Sequence, residues 1–537
     1  MIRFDKKQNQ FKNIFSNIKS LKNAGNTEKL EIVYKVWLTK EQISSGKAQE
    51  DSVYNLMMKN GNPKGELCVD AKEATHLYNV ISELDDIDLM DLISSLTSAV
   101  LVGKALLDKF RKTVMRQNNG RDASILLTDI ECYGSNLLDF LTSFDGNATI
   151  SLATDNYIVF EIYVKLLKKY HPGLEFYNVG FYDCDSISKS VINDHNAVLL
   201  LPFNKFIDED TMYSFDLNDL YSWITLLTDQ KKPGMVIVPM HFFLSRRTGF
   251  GRGEFAKGGI LKEISTIPAS LLGMRSMTRY GLFITGKFGG KDLLVRNYAD
   301  KNGELFVKEE ATIKKDADFI VNSDRSNGWN VNKWLNRLNE DDVKFFSNKK
   351  RLGEMADVIR GRLFKQGHDE DKTRVKIVNI SDIEDGCVNE ITEAVEADLR
   401  HWEDHVLRKD DLLITIKGTT IKLAIFDKDD SRYVASPNLC AIRIKSEFKD
   451  NKLVVSYLKL YFDLPCGRRQ LQSIKRGSFV MSVSKYDLLD LQIPVPEINR
   501  QKALCEKYKN SYEQYKTEIA AAEEKWKKAQ AEFLQEL

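Results

Sequence analysis

The residues placed to do chemistry in this chain stand where apolar, strand-like runs come to an end. Ser124-Ile-Leu-Leu-Thr-Asp129 and Thr149-Ile-Ser-Leu-Ala-Thr-Asp155 each close on a carboxylate. Ala197-Val-Leu-Leu-Leu201 runs straight into Pro202-Phe203-Asn204, and Gly234-Met-Val-Ile-Val-Pro239 follows. Strands that alternate with helical stretches build a parallel α/β sheet, and such sheets hold ligands outside the carboxyl ends of their strands. Polar residues at those ends are therefore the first candidates for a site.

Other constellations carry less. His401 and His405 are spaced to share one helix face, but no Glu base or cysteine pair accompanies them, so no metal is expected. Gly249-Phe-Gly-Arg-Gly253 has the look of a phosphate loop without a preceding strand or a following Gly-Lys-Ser; it reads as a loop that could border a base pocket. No Ser-His-Asp, Cys-His or nuclease pattern is legible.

The elements that must position these residues come in three stretches. Residues 1–120 read as mainly helical, with apolar three-and-four spacing over Ile43 to Met58 and Ala74 to Lys112. The α/β alternation follows over 121–295, and a charged connector with turn signals at Lys301-Asn-Gly303 and Ser326-Asn-Gly328 spans 296–345. A chain of 537 residues has room for about three domains, and 43% apolar with 29% charged residues is ordinary globular composition. A net charge of +1 requires any DNA contact to come from local basic surface. Seven scattered cysteines point to reduced thiols and a cytoplasmic location, the N-terminus is no signal peptide, and no apolar run is long enough for a membrane span.

The order of motifs resembles the catalytic domain of type I restriction-modification DNA adenine methyltransferases, over roughly residues 90–295. That resemblance implies a Rossmann-like fold and S-adenosylmethionine as cofactor. It places the Gly-rich turn at Asp129-Ile-Glu-Cys-Tyr-Gly-Ser-Asn136, which keeps Cys132, Gly134 and Ser135 but loses a glycine. Asp155 takes the ribose-binding acidic position, and Asp183 or Asp185 the one near the adenine ring. The catalytic Asn-Pro-Pro-Phe/Tyr aligns with Leu201-Pro202-Phe203-Asn204. Leu201 cannot accept a hydrogen bond from the exocyclic amine of a flipped adenine, and Phe203 stands one position early for stacking. The residues thus favour a site that no longer methylates, and the damaged glycine turn argues against cofactor retention.

From residue 346 the chain resembles one target-recognition domain of a type I specificity subunit. The resemblance rests on Leu352-Gly-Glu-Met-Ala-Asp-Val-Ile-Arg-Gly361, Val378-Asn-Ile-Ser-Asp-Ile-Glu-Asp-Gly386, Leu407-Arg-Lys-Asp-Asp-Leu-Leu-Ile-Thr-Ile-Lys-Gly418, Val434-Ala-Ser-Pro-Asn-Leu439 and Leu491-Gln-Ile-Pro-Val-Pro496, in that order. It implies an α+β domain over 346–496 that lies on double-stranded DNA. Arg468, Arg469, Lys475 and Arg476 are the leading phosphate contacts, with Arg360, Arg362 and Lys417 beside the glycine turns in second rank. Residues 497–537 form a helix whose heptad, Tyr508, Tyr512, Tyr515, Ile519, Ala522, Trp526, Ala529 and Phe533, reads as a coiled-coil seam. With one recognition domain, the chain is expected to pair through this helix with a second copy or a partner subunit. The whole reads as a fused methyltransferase-like and DNA-recognition protein of a restriction-modification or phage-defence system, serving an effector such as a nuclease or translocase. An active adenine methyltransferase, and a scaffold that senses S-adenosylmethionine or a related nucleotide through Asp155, stand as alternatives.

Overall fold

The structure, a computed structural model, describes residues 18, 25–47, 53–60, 70–98, 100–117, 123–144, 148–179, 186–201, 206–208, 211–212, 227, 232–286, 290–323, 325, 328–336, 348–363, 372–391, 394–398, 405–418, 420–429, 432–449, 451–475 and 482–536. The chain divides into two units, Met1–Val331 and Asn332–Leu537.

The first unit opens with helices α1 (Asn26–Ser44), α2 (Val53–Lys59), α3 (Ala71–Ile81), α4 (Asp86–Thr97) and α5 (Lys104–Gln117). The two long helical stretches expected from periodicity are interrupted. α1 ends at Ser44, and Asp85 starts a new helix by accepting the backbone N–H of Asp88. A carboxylate that caps one helix ends the frame of the one before it, which apolar spacing alone does not register. The buried faces of α1, α3, α4 and α5 join one continuous core with the sheet.

That sheet holds β1 (Ala123–Leu127), β2 (Ala148–Thr154), β3 (Glu175–Asn178), β4 (Ala197–Leu200), β5 (Gly234–Pro239), β6 (Leu261–Pro268), β7 (Arg279–Thr285), β8 (Asp292–Lys301) and β9 (Glu304–Lys314). Its spatial order is 9-8-6-7-5-4-1-2-3. Strands β1 to β5 are mutually parallel, whereas β7 is inserted antiparallel between β5 and β6. The segment 3-2-1-4-5-7-6 is the plan of a Rossmann-like methyltransferase sheet. The order in which the chain adds parallel strands reverses between β1 and β4, which creates a crevice at their carboxyl ends. The nearly continuous burial of β1, β4 and β5 follows from helices covering both faces.

Residues 292–314 correct the expected connector, since they form β8 and β9 and complete the sheet edge. Asn302 and Gly303, at φ 58° and 83°, make the two-residue turn of this hairpin. Its charges belong to the exposed β9, whose register pairs Arg296 with Glu310 and Asn297 with Glu309. Beside the hairpin, on β6, Glu263 is buried and accepts from Lys109 of α5 at 2.9 Å, Arg296 at 3.0 Å and the Tyr298 hydroxyl at 2.9 Å. This ion network ties α5 to the sheet edge.

The second unit contains β10 (Lys349–Arg351), β11 (Ala356–Arg360), β12 (Lys372–Val378), β13 (Leu412–Thr415), β14 (Leu423–Ile425), β15 (Tyr433–Ala435), β16 (Leu439–Ile444) and β17 (Gln492–Pro494). The order β11-β16-β13-β14 forms an antiparallel sheet, while β12 runs parallel beside β15 and antiparallel beside Val395–Asp398. Helices Val455–Asp463 and Pro465–Ser473 pack on a core that includes Leu412, Ile414, Leu458 and Phe462. The final helix, Ile498–Glu536, joins that core only at its start, through Leu504, Cys505 and Tyr508.

Candidate cofactor crevice and nucleic-acid interface

The turn after β1 is built from residues that hold it to its own unit. Asp129 is buried and left-handed at φ 52°, and Gly134 is left-handed at φ 49°. A Cβ at Gly134 would stand 2.6 Å from a carboxylate oxygen of Asp91, so a larger residue would displace that side chain from the turn. Asp91, from α4, accepts the Ser135 backbone N–H at 2.7 Å and the Ser135 hydroxyl at 3.0 Å. An amide of this kind is what a Gly-rich turn offers to an anionic ligand group. Here a side chain of the protein already accepts from it. The Val102 N–H donates to the Cys132 carbonyl at 2.7 Å, and Asn136 donates to the Val102 carbonyl at 3.1 Å. Tyr133 is fully buried under the turn, its hydroxyl donating to the Thr128 carbonyl at 2.8 Å.

Glu131 is a site residue that strand-end reasoning passed over. It is 5% exposed, and burial, reinforced by the neighbouring Asp129 and Asp155 charges, pushes its carboxyl up to about 8. The shift favours the neutral acid, which lowers the cost of burying it. Its Oε2 has no hydrogen-bond partner among the described residues. The clue in the sequence was a Glu between apolar neighbours, in Ile130-Glu-Cys-Tyr133.

Beside β1, β2 ends on the buried Thr154, followed by the exposed Asp155, and Asn156 caps the following helix by accepting the N–H groups of Ile158 and Val159. Asp183 and Asp185 lie outside the described residues, as do Pro202, Phe203 and Asn204. Leu201 is described. It is 1% exposed and belongs to the apolar core with Leu199, Met235 and Ile237. Leu201, at the end of β4, is thus a packed aliphatic side chain.

In the second unit the candidate cations separate by placement. Arg360 and Arg362 are exposed and flank Gly361, where a Cβ would stand 1.9 Å from the Ser436 carbonyl oxygen. That close approach fixes the backbone, with the Gly361 N–H donating to Leu439 at 3.0 Å and the Arg362 N–H to Ala435 at 3.2 Å. Lys417 is half-buried and forms a bridge with Ser482. Arg468 donates to Asp463 and to the Ile421 carbonyl, both at 2.7 Å, and Arg469 is half-buried. Lys475 is 4% exposed, with its ammonium 3.4 Å from the Gly418 carbonyl and its pKa lowered by burial and by Arg468. Arg476 and His401 lie outside the described residues, and no metal-binding group of His, Cys, Asp or Glu is found among the described ones. Of the six described cations, Arg360 and Arg362 are the exposed ones, and both stand on backbone fixed by hydrogen bonds around Gly361. No described helix is long and apolar enough to cross a membrane.

On the final helix, Tyr515 is 56%, Ile519 39%, Trp526 59% and Phe533 61% exposed. Lys516 reaches Asp385 at 2.9 Å, at the point where the helix leaves its own domain.

Residues 347–522 match the family model of the type I restriction modification DNA specificity domain. Among solved structures, the type IIG restriction endonuclease BpuSI is similar at 10% identity, with 93% of this chain and 74% of that one covered and a TM-score of 0.42. The type I restriction-modification methyltransferase subunit from Streptococcus thermophilus is 10% identical over 60% of this chain and 98% of that one, with a TM-score of 0.41. The DrdV–DNA complex is 9% identical over 93% of this chain and 68% of that one, with a TM-score of 0.42. No curated protein matches the chain.

Proposed function

We propose that this chain, which joins a methyltransferase-like α/β unit to a type I restriction-modification DNA specificity domain, is a sequence-specific DNA-binding protein whose methyltransferase-like crevice does not methylate. The specificity-domain match carries the DNA-binding part. Support for the catalytic part comes from Leu201, which is locked in the core and offers no acceptor to a flipped adenine. The engagement of Ser135 by Asp91 supports it further, because a cofactor would have to displace a carboxylate that already satisfies the amide.

Arg360 and Arg362 hold phosphates in this reading, and base edges are read by other side chains of the specificity domain. The test is the salt dependence of binding to a DNA duplex. Changing both arginines to Ala should weaken binding to all sequences and lower the slope of log affinity against log salt by about two. A slope unchanged in the double variant removes them from the phosphate contacts.

One recognition domain reads few base pairs, since each good contact discriminates by about 1–3 kcal/mol. The exposed seam of Tyr515, Ile519, Trp526 and Phe533 is the surface through which a second copy or a partner's helix would supply the other half. Ile519→Glu with Trp526→Glu should separate the assembly in light scattering without unfolding either unit. A wild type that is already monomeric, with undiminished DNA affinity, contradicts the seam's role. In such a system the protein would direct an effector such as a nuclease or translocase in the cytoplasm, and S-adenosylmethionine would be absent or serve only as a sensed ligand.

A further inference from the structure

The first unit holds a second hollow at the far end of its strands from the crevice. β6 and β8 run parallel to each other, and β7 runs antiparallel between β5 and β6, its end at Thr285 opposite both Gly234 and Leu261. The amino ends of β5, β6 and β8 therefore lie together, away from the carboxyl ends where the crevice forms. There a cavity of about 890 Å³ is lined by α5 and by residues of β6, β7, β8 and β9. That volume suits a ligand of nucleotide size.

The helix arranges the charge of this cavity. Lys109, Lys112 and Arg116 recur at three- and four-residue spacing, which puts them on one face of α5, and all three line the cavity together with Arg296 of β8. Lys109 and Arg296 share the buried Glu263, at 2.9 and 3.0 Å. Burial lowers the pKa of Lys109 against the pull of Glu263, and the Arg296 and Arg116 charges lower it further. Lys112 and Arg116 are exposed, and neither is paired with a carboxylate among the described residues. Of the lining carboxylates, Asp292 is held by Lys314 at 2.6 Å and Asp108 stands 3.8 Å from Arg111, which leaves Glu304 at the start of β9. The α5 wall thus carries positive charge in excess, and like charges crowded on one wall are stabilised by an anion. Ile284, Leu294 and Leu305 give the cavity an apolar part as well.

The geometry points to a binding site for a phosphate-bearing small molecule, anchored by Lys112 and Arg116, with its organic body against Ile284, Leu294 and Leu305. A phosphate group brings up to two negative charges and three acceptor oxygens, which matches an ammonium and a guanidinium one helical turn apart. The site is separate from the crevice, because it lies at the other end of the same strands.

The test is calorimetric titration of the full chain with pyrophosphate and, separately, with ATP, both without divalent cations. Each should bind one molecule per chain, ATP at least about fivefold tighter because pyrophosphate cannot use the apolar lining. Lys112→Gln with Arg116→Gln should weaken both by about a hundredfold, since a hydrogen bond to a charged group is worth about tenfold or more. Lys104→Gln, on the same helix but outside the cavity, should change nothing. Thermal melts without ligand separate loss of binding from loss of fold. If the double variant melts early, Lys112→Gln alone carries the test, with a loss of roughly tenfold. No saturable binding of either probe, undiminished binding in the variants, or an equal loss with Lys104→Gln overturns the inference. Displacement of pyrophosphate by a DNA duplex also overturns it, by making these cations a nucleic-acid contact. ATP binding no tighter than pyrophosphate overturns the part assigned to the apolar lining.

Discussion

Two glycine turns, one in each unit, behave differently in the structure. Gly134 follows β1 and Gly361 follows β11, and each lets the backbone approach a neighbour too closely for a Cβ. At Gly134 the neighbour is the Asp91 side chain, and the polar groups around the turn face inward, toward Asp91, Thr128 and Val102. At Gly361 the neighbour is the Ser436 backbone, and the flanking Arg360 and Arg362 face solvent. At both turns backbone amides are taken up within the fold, that of Ser135 by Asp91 and those of Gly361 and Arg362 by the Leu439 and Ala435 carbonyls, and the difference lies in the side chains beside them.

The comparison is broken most severely by Gly361→Ala. With backbone carbonyls of Ser436 and Ala435 at 1.9 and 2.6 Å from the new methyl, no side-chain adjustment relieves the clash. We expect a loss of more than about 4 kcal/mol from the second unit, among the larger effects of single substitutions. In a denaturant melt the second unit should unfold early while the first keeps its midpoint. A melt superimposable on wild type would show that the close approach is not obligatory.

A smaller effect sharpens the other side. The Glu131 carboxyl is raised from the ordinary 4.5 to about 8 by burial and its acidic neighbours. Between those values the folded protein binds one more proton than the unfolded chain, so stability falls as pH rises through this window. The loss is at most about 1.4 kcal/mol for each pH unit. Glu131→Gln keeps the shape and removes the titration. Its melting temperature should match wild type near pH 5 and exceed it by a growing margin toward pH 8. Wild type outlasting the variant at pH 8 would mean that the carboxylate is charged there and held by a partner.

Much of this architecture was legible from periodicity and turn chemistry. The runs ending at Asp129, Asp155, Leu201 and Pro239 became β1, β2, β4 and β5, because buried parallel strands leave continuous apolar segments. Lys301-Asn-Gly303 marked a real hairpin turn, but the charged strands around it read as a connector, since an exposed edge strand has no apolar signature. Leu201, apolar in the sequence, is a packed core residue in the structure. Asp91, 44 residues ahead of its partner Ser135, could not be found that way, because only the fold brings the two together. Lys475, chosen from sequence for its basic cluster, is buried: local charge does not reveal which way a side chain turns.

The most direct measurement of the central claim is methyl transfer from tritium-labelled S-adenosylmethionine to a duplex that the purified chain demonstrably binds. With Leu201 packed in the core and the Ser135 amide held by Asp91, DNA binding should be accompanied by no label above background. Robust incorporation into adenine, abolished by changing Asn204 to Ala, would show that a neighbouring amide replaces the missing acceptor, and would contradict the account.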